Sequence, residues 1–438
     1  MFNILDFIEL KRDGHRHSSE DLHYFVKSVL SGQIPDYQIS AWLMAAFIRG
    51  MDDEELRDFT SALAFSGDVF RLSAGKRAVD KHSTGGVGDK TTLIAAPLAA
   101  SCGLPVAKLS GCALGFTGGT VDKLKSIPGM NMHLDTDQFI RQIDEIGIAI
   151  SGHSLHLAPA EGKFYALRDV TGTVPSLPLI ASSIVSKKIA GGADAFVFDV
   201  KCGNGAFMKT EGQARALCAA LISLSAAMAK RSMCVISDME QPLGRWVGNS
   251  VEVLEALQVL SGAGPSDTRE LSATIAAEML MAGGITDNID SASMIVAGKL
   301  DDKSALRKFA EMISCQGGDP SVCGDPESIL PRAAHEKIVT APREGVIGRM
   351  DALTIGIAAR ALGGGRTRGD DKIDQSVGIG VLKKIGDAVS NGEPIFEIRY
   401  NRDEQLNSAL PHLISAFSVA EFAEKRPLIL DRVTSYDR

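Results

Sequence analysis

The sequence predicts an α/β protein with three parts: a small all-helical domain, a large domain with a mostly parallel central sheet, and a C-terminal α+β subdomain. Three observations support this prediction. Apolar side chains follow helical spacing in the first 67 residues, short β-rich runs alternate with helical runs from about residue 76, and glycines cluster beyond about residue 340. Alternating strands and helices are typical of a parallel sheet covered by helices.

The N-terminal part is predicted to contain three short helices. Ser18 or Ser19 caps the first, Pro35 opens the second, and residues 52–65 form the third. The segment 177–190 is also helical in character and interrupts the alternation of strands and helices. We therefore expect a helical domain that is discontinuous in sequence, comprising residues 1–67 plus about 160–191.

The large domain is predicted to comprise about residues 76–155 plus 192–335, and the C-terminal subdomain about 336–438. Its predicted strands are 105–109, 148–151, 195–200 and 234–237, and its predicted helices are 91–101, 136–146, 212–228 and 251–260. The run Phe396–Tyr400 alternates like a strand in the C-terminal subdomain. In open parallel sheets ligands bind at the carboxyl ends of the strands, so we expect the site there.

Composition limits the classes of function. The net charge of −8 argues against broad nucleic-acid binding, which needs a basic face. Seven cysteines without a C-x-x-C pair favour a reduced cytoplasmic protein. There is no charge-free apolar run of about 18 residues and no secretory signal pattern, so no membrane association is expected.

The run Asp80–Lys90 is the most informative segment. It places Lys81, His82, Ser83 and three glycines between a short apolar run and a helical one. A loop that enters a helix presents free backbone N–H groups, and glycine allows an anion to approach them closely. The segment therefore predicts a phosphate-binding loop with a histidine placed to move a proton.

A second loop repeats the pattern, because Thr84-Gly85-Gly86 recurs as Thr117-Gly118-Gly119. Both loops follow predicted strands in consecutive βα units, so together they can wrap one phosphate. Neither loop matches the Walker or dinucleotide-binding pattern. The residues predicted to bind phosphate are Lys81, Ser83, Thr92, Lys108, Ser110 and Thr120.

A third group of polar residues lies in the segments 165–171 and 182–188. Ser183 and Lys187 are four residues apart and share one helix face. With Arg168 they form a polar patch that offers donors to carbonyl oxygens. His153 and His156 are three residues apart, but no third ligand type is near in sequence, so no metal site is predicted there.

These motifs resemble the thymidine and pyrimidine-nucleoside phosphorylases, the class II nucleoside phosphorylases. Asp80–Asp89 resembles their phosphate loop, and Ser110–Leu124 resembles their glycine-rich signature. The resemblance implies that Lys81, Ser83, Thr92, Ser110 and Thr120 bind phosphate and that Arg168, Ser183 and Lys187 grip a pyrimidine. It implies a role for His82 in protonating or polarising the base at O2, so His82, Arg168 and Lys187 are the predicted catalytic residues. The apolar wall of the base pocket is implied to be Leu114, Ile180 and Phe207.

The resemblance also implies the ligands and partners. Inorganic phosphate is the expected co-substrate and no organic cofactor is expected. The expected partners are a small-molecule nucleoside and a second copy of the chain, which docks through the helical domain. Some family members bind a monovalent cation such as K⁺, and the matching positions are Gly88 and Lys90, through their backbone, and then Leu243, Trp246 and Glu255.

The implied reaction is reversible phosphorolysis of pyrimidine (deoxy)nucleosides, with thymidine favoured, to free base and (2-deoxy-)α-D-ribose 1-phosphate. Because phosphate and base sites lie on different domains, we expect domain closure, with hinges near 67–77 and 152–164. The chain departs from the family pattern at Cys112, Ala113, Phe116, Lys125, Pro175 and Asn204. Two alternatives remain open: an anthranilate-type phosphoribosyltransferase, and a catalytically silent binding homologue.

Overall fold

The computed structural model describes residues 2–72, 77–111, 118–154, 156–366 and 371–434. The helices are α1 (Ile4–Arg12), α2 (Ser19–Leu30), α3 (Asp36–Arg49), α4 (Asp53–Ala64), α5 (Thr91–Ser101), α6 (Thr120–Leu124), α7 (Thr136–Ile146), α8 (Pro159–Thr171), α9 (Leu177–Ala190), α10 (Glu211–Ala227), α11 (Ser250–Leu260), α12 (Ser266–Gly283), α13 (Ile289–Asp301), α14 (Ser304–Cys315), α15 (Pro326–Ile329), α16 (Ala352–Ala359) and α17 (Asp403–Ala416), with short helical turns at Pro320–Cys323 and Arg360–Gly364. The strands are β1 (Val79–Ser83), β2 (Val106–Ser110), β3 (Ile148–Gly152), β4 (Ala195–Cys202), β5 (Arg231–Asp238), β6 (Trp246–Gly248), β7 (His335–Thr340), β8 (Gly345–Met350), β9 (Gly378–Val381), β10 (Ala388–Val389), β11 (Pro394–Tyr400), β12 (Phe417–Ala420) and β13 (Ile429–Thr434).

The N-terminal part contains four helices rather than the three predicted. The additional helix, α1, begins after Asn3, whose side chain accepts a hydrogen bond from the Leu5 N–H. It buries Phe7 and Lys11, and the Lys11 ammonium lies 2.5 Å from the Glu55 carboxylate on α4. The sequence pattern misses α1 because most of its nine residues face away from the core.

Helices α8 and α9 pack on α1–α4 and share their core. Phe164 of α8 lies 5.5 Å from Phe59 of α4 between ring centroids, and Leu179 of α9 belongs to the same cluster. The Thr60 hydroxyl on α4 donates to the Ser182 hydroxyl on α9 at 2.9 Å. The helical part is thus built from two separate stretches of the chain.

The central sheet has the order β13-β5-β4-β1-β2-β3. Strands β1–β5 are parallel, and β13 pairs with β5 in the antiparallel direction at one edge. Every residue of β4 is buried, as expected when helices cover both faces of a parallel sheet. The predicted fold class is confirmed.

The C-terminal part contains two smaller antiparallel sheets, β10-β8-β12 and β6-β9-β11-β7, with α16 and α17. Strand β6 lies before α11 in sequence but pairs with β9, which fastens this part to the large domain. The structure differs here from the predicted division of the chain, because β13 lies within the predicted C-terminal subdomain yet completes the edge of the central sheet.

Within the described ranges, no helix is both long and apolar enough to cross a bilayer. The same ranges contain no group of three or more histidine, cysteine, aspartate or glutamate side chains placed to hold a metal ion.

Candidate active site

A cavity of about 340 Å³ lies where the carboxyl ends of β1 and β2 face α8 and α9. Its walls contain eleven of the thirteen residues predicted to bind or act on substrates. They are His82, Ser83, Thr92, Lys108, Ser110, Thr120, Arg168, Ile180, Ser183, Lys187 and Phe207. Of the other two, Leu114 lies outside the described residues and Lys81 does not line the cavity.

The first glycine-rich loop is held in place by Asp89. Its carboxylate accepts hydrogen bonds from the Ser83 hydroxyl and from the Thr91 hydroxyl, the latter at 2.7 Å. Gly85 has a φ of 89°, a conformation that favours glycine, and its N–H donates to the Ser83 oxygen at 3.1 Å. The loop is therefore ordered by its own side chains before any anion binds.

Lys81 lies beneath the cavity rather than in its wall. Its side chain is fully buried, and its ammonium lies 2.8 Å from the Asp199 carboxylate. The same ammonium donates to the hydroxyls of Thr91 at 2.6 Å and Thr92 at 3.3 Å. Because Thr92 lines the cavity, Lys81 acts on that wall through the Thr92 hydroxyl.

Lys108 brings its amino group to the cavity wall. It shares one carboxylate with Lys188, since Asp80 lies 3.8 Å from the Lys108 ammonium and 2.7 Å from that of Lys188. Burial, followed by repulsion from Lys188, holds the pKa of Lys108 well below its usual range, although Asp80 acts in the opposite direction. A bound anion would relieve this imbalance.

The second glycine-rich loop is described only at its two ends. Ser110 ends β2 and Thr120 begins α6, and both line the cavity. Residues 112–117, which include Leu114 and the departures Cys112, Ala113 and Phe116, lie outside the described residues. The Lys123 ammonium on α6 donates to the Asp89 carbonyl at 2.6 Å, so the two loops are tied together.

Arg168 on α8 forms part of the opposite wall. Its guanidinium donates to the backbone carbonyls of Thr173, Leu179 and Val174 at 3.4, 3.0 and 2.7 Å. Arginine has five N–H groups, so two remain for a ligand. Arg168 therefore both fixes the turn between α8 and α9 and presents donors to the cavity.

Ser183 and Lys187 meet at a buried carboxylate that sequence reasoning missed. The Lys187 ammonium lies 2.5 Å from Glu161, and the Ser183 hydroxyl donates to the other oxygen of the same carboxylate. Glu161 is only 1% exposed. The sequence does contain a signal for Glu161. Its spacing from Tyr165 and Arg168 places all three side chains on one face of α8.

Two histidines line the cavity, and only His82 was predicted there. Burial, followed by the charges of Lys188 and Lys108, holds the pKa of His82 well below its usual range. Burial and the same two lysines, together with Lys187, lower the pKa of His153 in the same way. Both imidazoles are therefore neutral near pH 7, when each ring carries one N–H donor and one acceptor nitrogen.

The five residues predicted to hold a monovalent cation do come together, but Lys90 takes part with its side chain. Its ammonium donates to the carbonyls of Leu243 at 3.2 Å and Trp246 at 2.7 Å and to the Glu255 carboxylate at 3.0 Å. The expectation gave Lys90 only a backbone role. The residues present do not fit a separate ion, because a lysine ammonium already contacts these oxygens.

The remaining departures have partners of their own. Lys125 lies 3.3 Å from the His133 ring nitrogen, and the Asn204 amide donates to Asp351 at 2.7 Å. Pro175 lines the cavity beside Arg168. Neither His133 nor Asp351 was predicted to bind phosphate or base, so these pairings leave the predicted substrate-binding side chains available.

Three family models match successive regions of the chain. Residues 5–67 match the model described as glycosyl transferase family, helical bundle domain, and residues 75–306 match glycosyl transferase family, a/b domain. Residues 346–420 match the pyrimidine nucleoside phosphorylase C-terminal domain. The pyrimidine-nucleoside phosphorylase of Staphylococcus haemolyticus is 46% identical over 98% of this chain and 99% of its own length. The chain belongs to the pyrimidine-nucleoside phosphorylase family.

Other members of this family agree. The enzymes of Bacillus subtilis and Geobacillus stearothermophilus are each 45% identical over 98% of this chain, covering 99% and 100% of their own lengths. The chain is accordingly an enzyme of the pentosyltransferase class. Among solved structures, anthranilate phosphoribosyltransferase from Thermus thermophilus shares the fold, with a TM-score of 0.57 and 18% identity over 70% of this chain and 98% of that one.

Proposed function

We propose that this phosphorylase catalyses reversible phosphorolysis of pyrimidine ribo- and deoxyribonucleosides, thymidine among them, to free base and pentose 1-phosphate. The observation that carries the proposal is the cavity with two unlike cationic walls. One wall has hydroxyl side chains, glycines of the two loops and Lys108 at the strand ends. The other has Arg168 and Lys187 on helices of the helical part. The family membership of the chain supports the same reaction.

The two walls suit the two ends of the reacting bond. Cleavage of an N-glycosidic bond builds positive charge on the sugar and negative charge on the departing base. In the proposed reaction, phosphate held by Ser83, Ser110, Thr120 and Lys108 attacks C1′. Arg168 and its neighbours donate hydrogen bonds to the pyrimidine oxygens, and such donors lower the barrier most where charge develops.

The phosphoribosyltransferase alternative would need carboxylates to hold Mg²⁺ and diphosphate, and the two loop segments contain Asp80, Asp89 and Asp122. Asp80 is paired with two lysines, and Asp122 is paired with Arg366, whose guanidinium lies 2.8 Å away. Asp89 is occupied by Ser83, Thr91 and the ammonium of Lys201, which lies 3.8 Å away. Carboxylates engaged in this way are poor candidates for metal–diphosphate binding, so the structure favours phosphorolysis.

Domain closure remains part of the proposal, and described residues of the two predicted hinge segments contact each other. The Asp68 N–H donates to the His156 carbonyl at 2.9 Å, and Asp68 pairs with Leu157 in a parallel bridge. A Cβ on Gly67 would lie 2.2 Å from the same His156 carbonyl, so the approach requires glycine. Closure would bring phosphate and nucleoside together and exclude water as a competing nucleophile.

We also propose a homodimer through the helical part. Helix α3 exposes Tyr37, Met44 and Ile48, and their spacing puts them on one face. Tyr37 is 74% exposed and Ile48 is 69% exposed, which is unusual for side chains of this type.

Ile48→Asp should convert the dimer to a monomer in sedimentation velocity, and Ile414→Asp, at a comparably exposed position on α17, should not. A monomeric wild-type enzyme would contradict the proposal.

The two walls can be separated by kinetics. Thr92→Val keeps the volume but removes the hydroxyl of the phosphate wall, so the KM for phosphate should rise about tenfold while the KM for thymidine changes less than about twofold. Lys187→Met should do the reverse, because it removes a donor of the base wall. Initial rates with each substrate varied measure both constants. Lys163→Met, on α8 but outside the cavity, serves as the control. Equal changes in both constants for either wall variant would refute the assignment.

Glu161 is predicted to position the base-binding residues. Glu161→Gln removes the charge that holds Lys187 but keeps a hydrogen-bond acceptor for Ser183. The KM for thymidine should rise about tenfold, which corresponds to about 1.4 kcal/mol, with the KM for phosphate unchanged. Asp169→Asn, on the exposed face of the same helix, should behave as wild type. A normal thymidine KM with only a lower melting temperature would show that Glu161 is merely structural.

The lowered pKa of His82 predicts a specific pH behaviour. The ordinary pKa of a histidine is about 6.5. Because the pKa of His82 lies well below that, its imidazole is already neutral at pH 6.5 and does not titrate as the pH rises further. The ratio of kcat for wild type to kcat for His82→Asn should therefore stay constant between about pH 6 and 8. Using the ratio cancels the ionisation of phosphate. A ratio that falls with rising pH would mean that the imidazolium form acts in catalysis.

A further inference from the structure

Lys90 is a fully buried lysine that the proposed reaction does not use. It lies between Asp89 of the phosphate loop and the first residue of α5, and its side chain has no exposed surface. Its ammonium has three protons and meets three acceptors, the carbonyls of Leu243 and Trp246 and the carboxylate of Glu255. The acceptors lie 2.7 to 3.2 Å away, so the charge is fully coordinated by oxygen.

The backbone of the loop presses against the same oxygens. Gly88 has a φ of 74°, and a Cβ there would lie 2.5 Å from the Leu243 carbonyl oxygen and 3.4 Å from that of Trp246. Glu255 also fixes the segment, because it accepts hydrogen bonds from the backbone N–H groups of Arg245 and Trp246 at 2.9 and 2.7 Å. The loop, the segment 243–246 and α11 therefore meet around one positive charge.

Carbonyl and carboxylate oxygens in this arrangement are also the ligands of K⁺ in proteins. A lysine ammonium carries the same single charge, so it can take the place of the ion among such ligands. A second cation on the same oxygens would be repelled by the ammonium at contact distance. The oxygens of Leu243, Trp246 and Glu255 therefore already bind a cation, the Lys90 ammonium, which the chain itself supplies.

We infer that Lys90 is a tethered substitute for a monovalent ion, and that the enzyme folds and binds phosphate without K⁺ or Na⁺. The part of this inference that concerns phosphate rests on the proposed function. Lys90 is a positioning residue, since it contacts neither wall of the cavity. Its effect reaches the phosphate wall through the adjacent Asp89, which holds the hydroxyls of Ser83 and Thr91.

Neighbouring charges agree with this role. Glu252 lies 3.8 Å from the Lys90 ammonium and 2.7 Å from that of Lys123, which also donates to the Asp89 carbonyl. Burial alone would lower the pKa of Lys90, but Glu255 and Glu252 outweigh it and raise that pKa above its usual value. The ammonium form is thus maintained in the interior.

Removing the side chain should create a site for a free ion. A surface cavity of about 460 Å³ is lined by Trp246 and Glu255, which gives an ion a route to the vacated position in Lys90→Ala. Lys90→Met is the matched control, because its side chain has similar length and fills the position without charge. Wild type and both variants are compared in KCl and in choline chloride at equal ionic strength, by thermal unfolding and by phosphate KM.

The wild-type enzyme should have the same melting temperature and phosphate KM in both salts. In choline, Lys90→Ala should melt at a lower temperature and show a phosphate KM raised about tenfold, and KCl should reverse most of both changes. Lys90→Met should be impaired equally in both salts. A wild-type melting temperature that rises in KCl but not in choline would overturn the inference, as would a Lys90→Ala variant that is impaired but indifferent to K⁺.

The thermal measurement separates this inference from the proposed reaction. If the wild-type enzyme released no base from any pyrimidine nucleoside, the proposed function would fail. The salt dependence of unfolding would still decide whether Lys90 replaces an ion, because unfolding does not require turnover.

Discussion

The structure depends on pairing a set of lysine ammoniums that are buried at the carboxyl edge of the central sheet. The lysines are Lys81, Lys90, Lys108, Lys123, Lys188 and Lys201, each at most 3% exposed. Among the described residues they form ion pairs with five carboxylates, those of Asp80, Asp89, Asp199, Glu252 and Glu255. An unpaired buried charge is costly, so most of these carboxylates are shared. Asp199, for example, lies 2.8 Å from one ammonium and 2.6 Å from another. Sharing cross-links β1, β2, β4, α6, α9 and α11 around the phosphate loop.

This arrangement leaves one more ammonium than carboxylates in a protein whose net charge is −8. One of the places where two ammoniums share a carboxylate, at Lys108 and Lys188, borders the cavity. Local cations can thus attract a small anion while the overall charge disfavours polyanions such as nucleic acid. The neutral state of His82 fits the same logic, because a further positive charge among these lysines would be unfavourable.

Much of the fold is readable from local patterns, whereas side-chain roles at the site depend on distant packing. Helices α5, α7 and α9 match their predicted bounds because apolar spacing and end signals are local. The role of Glu161 was not predicted, because it depends on α9, which places Lys187 and Ser183 beside its carboxylate. For Lys90, the resemblance suggested a backbone contact with an ion. The direction of its side chain is set by oxygens 153 and 156 residues away in sequence, which no local pattern contains.

The alternation of charge across the cavity explains why both walls are needed. In the proposed transition state a negative phosphate, a positive sugar carbon and a negative base lie in a row. A cationic wall at each end complements such a row, and a single wall would stabilise only one of the two anions. The phosphate wall is built on strand ends fixed by the lysine–carboxylate cluster, whereas the base wall is built on α8 and α9 of the helical part. One ion pair of this cluster joins the two units, because the Lys188 ammonium on α9 lies 2.7 Å from the Asp80 carboxylate on β1. In the proposed domain closure, any motion that changes the distance between the walls would therefore have to accommodate this pair.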